Sequence, residues 1–149
     1  MNTQASLKKI LLNDYGAFLG WMAPLFYLGV IFLQFFLGEN LITIQSLALV
    51  LLPVSLIFIG VLFWRVYTIR RVFEEGTQVP ATVVRVSFYR DRGRVEVVYM
   101  FQGERYLSRN IVMKNKTTRA LVEGMPVIVL VDQGNPRRAF IRELYAGNE

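Results

Sequence analysis

Apolar and polar positions divide the chain into two halves with different periods. From residue 18 to 37 the sequence FLGWMAPLFYLGVIFLQFFL carries no charge, and residues 41–64 form a second uncharged run. A helix of about 20 such residues crosses a hydrocarbon core of about 30 Å. Only Gly38-Glu39-Asn40 separates the runs, so they are predicted to form an antiparallel helical hairpin that satisfies its backbone internally. Neither run has a polar face, which argues against a buried hairpin in a soluble protein. A cleaved signal peptide would have a shorter apolar region and a small-residue cleavage site.

The stretch before the hairpin, residues 6–16, places Leu7, Ile10, Leu11 and Tyr15 at helical spacing and is expected to lie in the headgroup region. After Trp64 the second helix is expected to continue to residue 75, with Trp64 and Tyr67 as interfacial aromatics, Arg65, Arg70 and Arg71 as anchors, and Gly76 as the stop. Pro24 and Pro53 interrupt the helical bonding of the two spans, and a bend is expected at Pro53.

From Thr77 the period becomes two and β-branched residues dominate. Strands are predicted over 81–89, 94–101, 103–113, 125–132 and 139–144, with Gly93 supplying the freedom of the first hairpin. The KNKTTRALVEG segment spaces the third strand from the fourth. Pro126, Val127, Val129 and Val131 are assigned to the core. Asp132 is expected to cap the turn before Gly134-Asn135-Pro136. Five short strands in about seventy residues avoid open edges by closing into a barrel. The predicted fold is thus an α+β membrane protein: a membrane domain over 1–76, then a small antiparallel β barrel over 77–149, SH3-like or OB-like, with a two-layer sandwich as the alternative.

Charge adds an orientation. Except for Lys8, Lys9, Asp14 and Glu39, all 17 basic and 11 acidic residues lie from Arg65 onward, and the whole formal excess of +6 resides there. Basic residues flank the outer ends of both spans and none lies between them, so both termini are expected to be cytoplasmic.

Cysteine and histidine are absent, which removes thiolate, imidazole and the usual zinc chemistry. No phosphate loop or nucleophile elbow occurs, and Glu74 and Glu75 are adjacent rather than opposed. The chain is therefore read as a non-enzyme with no cofactor and no metal site. Its spans hold no ionisable residue, which disfavours an ion path.

The strongest surface signal is FYRDRGRVE, with Arg90, Arg92 and Arg94 beside Phe88 and Tyr89. Arg137 and Arg138 form a second group, with Lys114, Lys116, Arg119 and Arg142 as candidates to enlarge it. Basic residues near a bilayer are attracted to anionic headgroups at about 1 kcal/mol each. The expected partners are the lipid bilayer with its anionic headgroups, and a protein partner or a second copy of the chain. Single-stranded nucleic acid, which arginine and aromatics can also grip, ranks last. The expected function is a membrane-tethered interaction module, an adaptor, scaffold or accessory subunit; oligomeric transport is the alternative class.

The pattern G-x-x-V-x-A-x-V at Gly76 to Val83, V-x-V-x-Y-x-F at Val95 to Phe101, and EGMPVIVLVDQGNPRRAFI at 123–141 resembles the bacterial domain-of-unknown-function 3592 family over residues 76–144. Members read Tyr-Asp-Pro where this chain has Val131-Asp132-Gln133. The resemblance implies a membrane-tethered β domain in a bacterium, and carries over no activity, cofactor or functional residue.

Overall fold

The computed structural model describes residues 4–38 and 40–147; Glu39 of the expected connection lies outside them. A short helix α1 (Leu7–Asn13) leads into α2 (Tyr15–Phe36), and α3 (Leu41–Glu75) follows. Both α2 and α3 are long and apolar enough to cross a membrane. At a rise of about 1.5 Å per residue they are about 33 and 52 Å long, and both continue through their prolines. Asp14 caps α2 by accepting from the Ala17 amide at 2.9 Å, and Asn40 caps α3 by accepting from Thr43 at 3.0 Å.

The two helices approach closely at Gly20. A Cβ there would stand 2.7 Å from Leu62 Cβ and 3.0 Å from the Phe58 carbonyl oxygen, whereas one at Gly29 would meet nothing within 4 Å. Gly20→Leu is expected to destabilise the helix pair by about 1–3 kcal/mol through overpacking. Gly29→Leu should leave it unchanged. Unfolding of the detergent-solubilised protein in increasing SDS would check the pair of variants.

Helix α3 stops at Gly76, as the sequence predicts. Gly76 is not left-handed (φ −74°). Instead a side chain there would run into the Val72 and Val131 carbonyl oxygens, so close approach of helix and sheet requires the glycine.

Five antiparallel strands follow: β1 (Thr77–Tyr89), β2 (Arg92–Phe101), β3 (Glu104–Met113), β4 (Pro126–Asp132) and β5 (Asn135–Ile141). Their order is β3-β2-β1-β4-β5, and β1 is long enough to pair with β2 over one part and β4 over another. The sheet curls until its edge strands meet, where the Ser108 hydroxyl donates to the Ala139 carbonyl (3.0 Å) and accepts from the Ala139 amide (3.2 Å). The result is a nearly closed sheet around Val83, Val95, Val97, Tyr99, Val112, Val127, Val129, Val131 and Ile141, all buried.

Several expectations are corrected. Arg90 takes the left-handed conformation of the first hairpin (φ 53°), and Gly93 lies inside β2. The glycine is needed because a Cβ would come within 2.5 Å of the Phe88 ring. Pro126 is exposed at the start of β4, since it lies on the outward face of the pleat. The fifth strand begins at Asn135 and ends at Ile141; Arg142–Tyr145 form a helical turn, α5. That turn buries Leu144 and Tyr145 together, which a continued strand would send to opposite faces.

Helix α1 is folded against the β unit. The Asn13 amide donates to the Leu144 carbonyl at 2.5 Å, the Ser6 amide to the Tyr145 carbonyl at 2.9 Å, and Ile10 is fully buried. Helix α1 thus shares the core of the C-terminal unit, and the division at residue 76 is one of chain order more than of packing.

Candidate functional site

Two ion-pair clusters lie along α3, one joining it to the start of α2 and the other joining it to the β unit. Asp14, fully buried, pairs with Arg65 across 51 residues of sequence, through both Nε and Nη2. The Arg65 guanidinium also lies 5.6 Å from the centre of the Phe140 ring, a cation–π contact that covers its apolar face. The sequence pattern marks Arg65 only as a cytoplasmic anchor of the second helix. A signal was available: Asp14 and Arg65 stand nearly equidistant from the Gly38–Asn40 turn, so a hairpin brings them to one level. Lower on α3, Asp132 caps its turn as expected, accepting from the Gly134 amide at 3.0 Å, and also holds Arg71 and Arg138 at 3.3 Å each.

The five arginines singled out from sequence fall into two groups. Arg90, Arg92 and Arg94 are exposed at the β1–β2 hairpin, where Arg90 and Arg92 lie 5.4 and 6.0 Å from the Tyr89 ring centre. Register places Arg92 opposite Met113 and Arg94 opposite Ile111, and the Lys114 amide donates to the Asp91 carbonyl at 2.8 Å. The hairpin therefore adjoins Lys114, Lys116 and Arg119, the last two in helix α4 (Lys116–Arg119).

This basic end lies where the helices begin. The Asn115 amide donates to the Leu12 carbonyl (3.1 Å) and to Asn13 Oδ1 (2.7 Å), and Asp14 bridges to Val112. Exposed Tyr89 and Ile111 add apolar surface to the same end, beside a shallow cavity of about 230 Å³ between the hairpin and β3.

Arg137 and Arg138 belong elsewhere, on the seam between β3 and β5. Val131 faces Ala139 and Asp132 faces Asn135, so Pro136, Arg137 and Arg138 are extra residues of a bulge. Bulges turn side chains out of the regular alternation. The Tyr99 hydroxyl fixes this one by donating to the Pro136 carbonyl at 2.5 Å.

Burial first, and the neighbouring Tyr106 second, push the Tyr99 ionisation up to about 12. The folded form thus holds its proton more tightly than the unfolded chain, whose tyrosines titrate near 10. The resulting stability is complete below about pH 10 and is lost as pH rises toward 12. Tyr145, fully buried, is raised for the same first reason and adds to the same trend. Tyr99→Phe is expected to flatten part of this alkaline fall, as read from urea unfolding in detergent at pH 9 and pH 11.

No known family model, curated protein or solved structure matches the chain.

Proposed function

We propose that the chain is a two-pass protein of the bacterial inner membrane, with both termini cytoplasmic, whose β barrel is an interaction module resting on anionic headgroups. The observation that carries this reading is the gathering of Arg90, Arg92, Arg94, Lys114, Lys116 and Arg119 at the end of the barrel joined to the start of α2. With α2 and α3 in the bilayer, that end faces the lipid surface, where each cation contributes about 1 kcal/mol of attraction. Tyr89 and Ile111 suit the same boundary, since amphipathic rings and single aliphatic side chains settle at headgroup level.

Held in this way, the barrel presents its remaining surface to a protein partner, as an adaptor or accessory subunit would. The cyclic strand sequence β1-β2-β3-β5-β4, with β1 shared, favours an OB-like over an SH3-like barrel. The likeness to the domain-of-unknown-function 3592 family is part of the proposal and rests on the residues quoted for it.

Mass spectrometry of what the full chain retains in mild detergent tests the reading. The native chain is expected to keep anionic phospholipid, and Arg90→Glu/Arg92→Glu/Arg94→Glu to lose it. Equal lipid content in the two would overturn the proposal.

A further inference from the structure

The bulge on β5 opens a polar cleft of about 270 Å³ along the seam, at some remove in the sheet from the hairpin arginines. Its walls include Arg65 from α3, Arg137 and Arg138 from the bulge, and Ser108, Arg109 and Asn110 from β3; among the described residues no acidic side chain lines it. We propose that this cleft is a binding site for a phosphate group, distinct from the basic end of the barrel.

Charge is the first argument. Arg65 is matched by Asp14, Arg109 by Glu96 and Arg138 by Asp132, while Arg71, which shares Asp132, also pairs with Glu75. Arg137 has no acidic partner within ion-pair distance among the described residues. The cleft is therefore left with uncompensated positive charge. A tetrahedral anion suits it better than a carboxylate, because the Arg137 fork can grip two oxygens while Arg65 and Arg138 keep N–H groups not engaged by Asp14 and Asp132 for the others.

Asn110 is the second, independent argument. It is 4% exposed, it forms part of the cleft wall, and its amide nitrogen has no hydrogen-bond partner. Buried amides are almost always satisfied. Rotation of this amide toward the cleft gives it a ligand oxygen to bond, which the surrounding protein does not offer. The seam supports the same end, since β3 and β5 are joined there through the Ser108 hydroxyl and not by a ladder.

The phosphate has two possible sources. Arg65 directly follows Trp64 at the end of the uncharged run, within reach of a lipid headgroup, while the cleft is also open to solutes. Titration of the full chain in maltoside micelles, which contain no phosphate, separates them. Inorganic phosphate is added in one arm and dioctanoyl phosphatidic acid in the other, with the Asn110 side-chain amide followed by NMR.

A saturable shift in either arm supports the site. A shift with the lipid alone names the headgroup as its source, and equal shifts name the phosphate group itself. Arg137→Gln, at an exposed residue without an ion pair, is expected to weaken binding about tenfold, with partial recovery in Arg137→Lys. No movement of Asn110 in either arm, or unchanged affinity in Arg137→Gln, would overturn the assignment.

Discussion

Asp14→Ala is expected to cost about 4 kcal/mol of stability. Removing one member of a buried ion pair leaves the other charge uncompensated, at about 3–5 kcal/mol. Arg65 retains 23% exposure against none for Asp14, so water recovers part of its solvation and the lower figure of about 3 kcal/mol applies. The lost N-cap of α2 adds about 1 kcal/mol. Trp21 and Trp64 lie near the pair in sequence and report on it, so urea unfolding in mild detergent can be followed by their fluorescence. Asp14→Leu/Arg65→Met should recover most of the loss, because it removes both charges and keeps the volume. A single-variant cost below about 1 kcal/mol would mean that the pair does not hold the start of α2 against α3.

Tyr145→Ala has the second large expected effect, a loss of about 3–5 kcal/mol from truncating a fully buried aromatic. Its ring meets Phe73 of α3 edge-on at 6.4 Å and Phe140 of β5 at 5.9 Å, while its backbone carbonyl accepts from Ser6. The ring thus joins the long helix to the sheet, and the backbone of the same residue ties in the N-terminal segment. The collapse should be unequal: near-UV dichroism of the barrel would fall with the loss, while far-UV helix signal from α2 and the apolar part of α3 would persist. Loss of both signals together would show that the helices depend on the barrel.

Tyr145 also marks where sequence reading reached its limit. Residues 139–144, which open on Ala139-Phe140-Ile141 straight after the turn, read as a strand to the end, whereas Arg142–Tyr145 form a helical turn that buries Leu144 and Tyr145, the latter against Phe73 of α3. The helices were legible because an uncharged run of twenty residues has few alternatives. The strands were legible because β-branched residues repeat with period two. Gly76 and the Asp132 turn were legible through local chemistry.

What escaped is non-local. The Asp14–Arg65 pair joins residues 51 apart in the chain, and only their near-equal distances from the hairpin turn hint at it. The separation of Arg90, Arg92 and Arg94 from Arg137 and Arg138 depends on the strand order. The role of Arg137 depends on a bulge that the run Asn135-Pro136-Arg137-Arg138 does not announce. Asn110 reads as an ordinary polar residue on a strand until the sheet closes over it.

The central claim is that the basic end of the barrel faces the lipid surface. Paramagnetic relaxation from a gadolinium-chelating lipid headgroup, in nanodiscs containing phosphatidylglycerol, measures that directly on the labelled full chain. The expected result is strong broadening at residues 89–92 and 114–119 and little at the turns 102–103 and 133–134. Broadening of those turns with the basic end untouched would contradict the account.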